Sequence, residues 1–136
     1  MFKPEASDKA AVPPGAPMVY LVDDEALLIE LGEAVLRSAG FVTRTFHDAE
    51  SAWQSFVREP VKPALLMTDF AMGPGMSGLD LATRCKAAWP GLKVLLVSGS
   101  ASPELVREKS GIIDGLVQKP YKPDQLLAAA RRLVPV

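Results

Sequence analysis

The chain has 136 residues, with 15 Lys or Arg against 16 Asp or Glu. That balance argues against a broad electrostatic footprint for nucleic acid, and no apolar run approaches the ~20 residues of a membrane span. One cysteine, Cys85, excludes an internal disulfide, and the mixed, charged first residues are unlike a secretory signal, so the cytoplasm is the expected compartment.

Residues 1–17 read as a flexible leader, because Pro4, Pro13, Pro14, Gly15 and Pro17 interrupt any helix or ladder. Residues 18–136 read as one domain in which strands and helices alternate. The first strand is Met18–Val22. A helix follows from about Glu25 to Ser38, with Leu27, Leu28, Leu31, Ala34 and Val35 as its apolar stripe and Gly40 as its C-terminal cap. The second strand is Phe41–Phe46. Asp48 caps a second helix expected to turn Ala52, Trp53, Phe56 and Val57 inward.

The third strand is Ala64–Thr68, followed by Asp69 and the Gly/Pro-rich loop Met72-Gly73-Pro74-Gly75-Met76. Ser77 and Asp80 have the spacing of a capping box for a third helix that ends near Trp89-Pro90-Gly91. The fourth strand is Lys93–Val97. Ser102-Pro103-Glu104 opens a short fourth helix, which stops before Gly111. The fifth strand is about Asp114–Gln118, and Pro123 starts a last helix burying Leu126, Leu127, Ala130 and Leu133. Five strands and five helices in strict alternation predict a parallel sheet with helices on both faces. Cys85, on the apolar side of the third helix, reads as core packing, and His47 as a solvated loop residue.

Polar residues stand where the apolar runs stop: Asp23 and Asp24, Asp69, Ser98 and Lys119. In an open parallel sheet, ligands bind outside the carboxyl ends of the strands, so four strand ends deliver acids, a hydroxyl and an ammonium to one crevice. Three clustered carboxylates repel one another unless a cation neutralises them. An oxygen-only set suits Mg²⁺, whereas single His47 and Cys85 make a zinc site improbable. A carboxylate beside Mg²⁺ can act as a nucleophile toward phosphorus, with Lys119 and Ser98 offsetting charge on the phosphoryl oxygens.

These residues carry a resemblance. Leu21-Val22-Asp23-Asp24-Glu25, Thr68-Asp69-Phe70-Ala71-Met72, Gly75-Met76-Ser77-Gly78, Val97-Ser98-Gly99 and Lys119-Pro120-Tyr121 stand in the order and spacing of a response-regulator receiver domain of two-component signalling. The resemblance covers residues 18–134. It implies a flavodoxin-like, doubly wound (βα)5 fold with strand order 2-1-3-4-5. It also implies a phosphoacceptor at Asp69, with Asp24 binding Mg²⁺ directly and Asp23 helping through water. The Ala71 backbone carbonyl completes the protein ligands, and Ser98 and Lys119 contact the phosphoryl group. The Lys119–Pro120 bond is expected to be cis. Ala71 and Ser100 lie where such domains tune hydrolysis.

The implied partners are a histidine kinase or histidine phosphotransfer protein upstream. A downstream protein is expected on the face of the fourth helix, fifth strand and fifth helix, where Arg107, Glu108 and Lys109 lie. No direct nucleic-acid or membrane contact is implied, and the expected state is a monomer or a weak phosphorylation-dependent dimer. The protein is expected to be a signalling switch that catalyses only its own modification. It could stand alone, shuttle phosphoryl groups, or be a receiver excised from a larger hybrid kinase.

Two positions depart from the family pattern. Gly73 lengthens the loop after Asp69, which usually reads Met-Pro-x-Met, and Leu116 replaces the usual Tyr or Phe three residues before the lysine. These departures lend weight to a receiver-like module that works by protein contacts without phosphorylation. A further alternative is a haloacid-dehalogenase-type phosphohydrolase, which needs an Asp-x-Asp on the first strand and a late acidic pair. Here the first strand ends in Asp-Asp, and Asp114 is isolated.

Overall fold

The computed structural model describes residues 15–135. Most of the leader, residues 1–14, lies outside that range. The central strands are continuous apolar runs that can be covered on both sides. β3 (Leu65–Asp69) is buried at every residue, and β1 (Met18–Val22) at all but the first. β4 (Lys93–Ser98) completes the interior, while β2 (Val42–Phe46) and β5 (Gly115–Gln118) form the edges. All four pairings are parallel and the order is β2-β1-β3-β4-β5, the flavodoxin-like arrangement expected.

Successive side chains of a strand point to opposite faces, so one sheet feeds two cores. Val19, Leu21, Leu65, Met67, Leu95 and Val97 meet α1 (Ala26–Ser38) and α5 (Pro123–Leu133) through Leu36, Leu126, Ala129 and Ala130. Tyr20, Val22, Leu66 and Val94 meet α2 (Ala49–Arg58) and α3 (Gly78–Ala88) through Ala49, Ala52, Phe56, Leu81, Ala82 and Cys85. The short α4 (Pro103–Glu108) buries none of its residues. Its Leu105 and Val106 only lean on a small cluster of Leu96, Ala101 and Ile113. Among the described residues no helix is long and apolar enough to cross a membrane.

The helix ends follow from local chemistry. The Asp48 carboxylate accepts from the Ser51 N–H at 2.7 Å, and Ser102 Oγ accepts from the Leu105 N–H at 3.1 Å. Ser77 and Asp80 form the reciprocal capping box. Gly40 has φ +101°, and the N–H groups of Gly40 and Phe41 return to the carbonyls of Arg37 and Leu36. This Schellman closure uses up Phe41, so β2 starts one residue later than expected.

Two inward faces differ from expectation. The buried side of α1 is Ile29, Gly32 and Leu36, whereas Leu27 is 79 % exposed and Leu31 and Ala34 also face outward. The cause is Gly32: a Cβ there would meet the Leu21 side chain at 2.9 Å, so the helix docks closest to the sheet at its smallest residue. On α2, Val57 is exposed, and Ser55 takes the inward place with its Oγ 3.0 Å from the buried Tyr20 hydroxyl. Polar pairing satisfied inside the core displaces an apolar residue from it.

Gly78 fixes how α3 meets the end of β3. Its N–H donates to the Phe70 carbonyl at 3.1 Å. A Cβ at this position would overlap the Asp69 carbonyl oxygen and lie 2.9 Å from Thr68 Oγ1. Gly78→Ala is therefore expected to destabilise the fold by about 3 kcal/mol. Urea-induced unfolding checks this, and unchanged stability would mean that α3 can slide away from the strand end.

Candidate functional site

The parallel register brings the strand ends level. Asp69 closes β3 opposite Val97, and Ser98 closes β4 opposite Gln118. The Lys119 N–H then donates to the Ser98 carbonyl at 2.9 Å, which carries Lys119 to the same edge. At β1 the Asp23 N–H donates to the Phe46 carbonyl, holding Asp23 beside the end of β2. Four chain segments thus end at the carboxyl edge of the sheet, and Asp23, Asp24, Asp69 and Lys119 bring their side chains together there. The Lys119–Pro120 peptide is cis, as the resemblance implies, and Gly73–Pro74 is cis as well.

One carboxylate oxygen from each of Asp23, Asp24 and Asp69 lies within 4.8 Å of the others. Asp23 and Asp69 are buried and Asp24 is exposed. The Lys119 ammonium lies 3.0 Å from Asp23, 3.1 Å from Glu25 and 3.5 Å from Asp69. Asp23 is fixed from its other oxygen by the Glu25 N–H at 2.9 Å. Burial pushes the Asp69 carboxyl above the ordinary aspartate range; Lys119 works against this shift, and the charges of Asp23 and Asp24 add to it. Burial pulls the Lys119 ammonium down, but its hydrogen bonds to Asp23 and Glu25 and the charges of Asp23 and Asp69 outweigh that, so it stays firmly protonated.

The donor set itself tests whether a metal fits. It is all oxygen, closely grouped and strongly anionic, and open on the side of Asp24. Such a set suits a hard divalent cation such as Mg²⁺. His47 is exposed, and Cys85 is buried in the core with its thiol pushed up to about 12 by burial. Neither belongs to the group.

Not every predicted site residue turns toward the acids. Ser98 Oγ accepts from the N–H groups of Ser100 and Ala101, each at 3.0 Å, and so faces the loop before α4. Ala71 stands two residues past Asp69 in an exposed stretch of the β3–α3 loop. Leu116 packs against the small cluster under α4. Asp114 precedes β5 and therefore lies at the opposite end of the sheet. It accepts from the Val94 N–H at 2.8 Å and pairs with Lys86 at 2.5 Å, which makes it a structural tie rather than a late catalytic acid. Glu25 is the site residue to which sequence reasoning gave no role. It stands inside the Asp23-Asp24-Glu25 motif, but its link to Lys119 spans 94 positions and becomes visible only in the fold. Glu25, Leu28, Lys119, Pro120 and Tyr121 line a groove of about 360 Å³ beside the acids.

Known proteins resemble this chain throughout the sheet. The family model described as the response regulator receiver domain matches residues 19–131. The DNA-binding response regulator MtrA of Mycolicibacterium paratuberculosis is 33 % identical over 113 residues, which cover 83 % of this chain and 49 % of MtrA. The chain thus spans about half the length of that relative. The crystal structure of NtrX from Brucella abortus superposes with a TM-score of 0.77 at 30 % identity, covering 88 % of this chain and 27 % of NtrX. The chemotaxis protein CheY4 of Vibrio cholerae superposes with a TM-score of 0.79 over 88 % of this chain and all of CheY4. At 23 % identity, that match speaks for the fold alone.

The raised Asp69 carboxyl has a consequence for stability. The folded state holds that proton more tightly than the unfolded chain does, so the associated stability fades as pH rises through the raised value. Asp69→Asn keeps the shape and removes the charge. Without divalent ions it is expected to raise the melting temperature at neutral pH by about 2–5 °C. The gain should vanish below the ordinary aspartate range, and thermal unfolding at the two pH values checks both signs.

Proposed function

We propose that this chain, which belongs to the response regulator receiver domain family of two-component signalling, takes a phosphoryl group onto Asp69. The observation that carries the reading is the trio of carboxylates within 4.8 Å, two of which, Asp23 and Asp69, pair with the Lys119 ammonium. A site built for structure alone gains nothing from three acids at one end of the sheet, because their repulsion opposes folding.

Asp24, Asp23, Asp69 and the Ala71 carbonyl are the groups that would hold Mg²⁺. When bound, the cation supplies positive charge that offsets the phosphoryl oxygens. A carboxylate oxygen of Asp69 attacks phosphorus. The Asp69 O–P bond forms as the donor's P–N bond to a phosphohistidine imidazole breaks, and the leaving group keeps the bonding electrons. Lys119, already positioned by Asp23 and Glu25, turns its ammonium to the new phosphoryl oxygens. The donor is a histidine kinase or a histidine phosphotransfer protein in the cytoplasm. Water later cleaves the acyl phosphate and resets Asp69.

Ser98 couples the chemistry to the fold. For its hydroxyl to reach the phosphoryl group, it leaves the N–H groups of Ser100 and Ala101. That frees the loop before α4, the helix with no buried residue. Phosphorylation then biases two arrangements of β4, α4 and β5 toward one that a downstream protein reads on the α4–β5–α5 face. With Leu116 where an aromatic ring is usual, this chain relies on the loop and α4 rather than on a ring that swings inward.

Incubation with acetyl phosphate tests the reading, with intact mass as the readout. One phosphoryl adduct is expected, dependent on Mg²⁺ and absent in Asp69→Asn. Lys119→Ala should slow its formation by about a hundredfold. Absence of any adduct in folded wild-type protein would sink the reading. Bulky side chains at Ala71 or Ser100 should lengthen the adduct's lifetime, as followed by its decay after removal of acetyl phosphate; unchanged decay would count against water entering there.

A further inference from the structure

Glu50 stands in the first turn of α2, exposed and outside every motif described above. Its carboxylate nevertheless reaches the loop that follows Asp69. Glu50 Oε2 accepts from the Met76 N–H at 2.7 Å, a contact between residues 26 positions apart. Gly75 makes this approach possible. It has φ +101°, where a side chain is strained, and a Cβ there would lie against the Glu50 carboxylate.

The loop is otherwise held at its two ends. At its entry, the Phe70 N–H donates to the Val97 carbonyl at 3.1 Å, and the Met72 side chain is buried in the core shared with Ala49, Ala52 and Phe56. At its exit, the Gly78 N–H returns to the Phe70 carbonyl, and Ser77 caps α3. Between these anchors lies the stretch lengthened by Gly73, residues 73–76, and a Cβ added at Gly73 would meet nothing within 4 Å. In that stretch, the Glu50 carboxylate holds the backbone at Met76, while the half-buried Met76 side chain packs against the same core cluster as Met72. Met72 and Met76 thus share one packing with Ala49, the residue beside Glu50, and this packing passes the position of the Met76 backbone on to Met72 and the Ala71 carbonyl next to it.

We propose that Glu50 is a positioning residue: its hydrogen bond to the Met76 N–H holds the lengthened loop so that the Ala71 carbonyl faces Asp23, Asp24 and Asp69. This rests on the phosphoacceptor reading and adds to it the group that compensates for the inserted Gly73. The charge of Glu50 is not what acts. The reach of its side chain and the acceptor at its end are.

Three variants separate reach from charge. Glu50→Ala loses both, Glu50→Asp keeps the charge but is one methylene too short, and Glu50→Gln keeps the reach and an acceptor without the charge. Calorimetric titration of the metal-free protein with Mg²⁺ is expected to show affinity weakened about five-fold in the Ala and Asp variants, the loss of one ordinary hydrogen bond, and wild-type affinity in the Gln variant. Hydrogen exchange of the Met76 amide without metal should accelerate in the same two variants only. Adduct formation with acetyl phosphate should recover in them at raised Mg²⁺. Wild-type Mg²⁺ affinity in Glu50→Ala would overturn the proposal, as would Glu50→Gln behaving like Glu50→Ala. Either result leaves the phosphoacceptor reading intact so long as wild type forms its adduct. Wild type that neither binds Mg²⁺ nor forms an adduct overturns that reading and the role of Glu50 with it.

Discussion

The ammonium of Lys119 lies among Asp23, Glu25 and Asp69, and its charge is what lets a buried acid pair exist at the end of a hydrophobic sheet. Two carboxylates removed from water and close together would otherwise shed a charge by binding a proton. Lys119 limits that tendency without abolishing it, since Asp69 still sits above the ordinary aspartate range. The cluster is therefore stable enough to fold and unsatisfied enough to bind further positive charge. The backbone bond from Lys119 to the Ser98 carbonyl makes the arrangement depend on β4 and β5 keeping register.

The helices are anchored unequally. α1, α2, α3 and α5 each bury several residues, and α3 is tied to the far end of the sheet through Lys86 and Asp114. α4 has no such hold. Elements with few buried contacts open at low free-energy cost. Among the described residues, the least anchored helix adjoins the loop gripped by Ser98, so the end of β4 and the soft part of the fold meet at that residue.

Much of this was legible before any coordinates, because the polar residues interrupt apolar runs and each interruption marks a strand end. Asp23, Asp24, Asp69 and Lys119 fall together as the alternation implies, and the capping box at Ser77 and Asp80 forms as its spacing requires. The failures have equally local causes. The inward face of α1 was misread because it centres on Gly32, and a residue without a side chain carries no hydrophobic signal. Val57 was misread because Ser55 answers Tyr20, a pairing between distant elements. The orientation of Ser98 depends on two backbone donors in its own loop, which a motif does not reveal. Glu25 and Glu50 reach partners 94 and 26 residues away, beyond any periodicity.

Cys85 is the one cysteine in the chain, and it is sealed between α3 and the sheet with a thiol that resists ionisation. Since the thiolate is the reactive form, this sulfur is inert toward alkylating reagents while the protein is folded. The native molecule thus offers a silent background to maleimide chemistry. A fluorophore attached through a second cysteine engineered into the exposed side of α4 would be the sole label on an otherwise wild-type surface. Its emission would follow the least anchored helix without mutating the native thiol away.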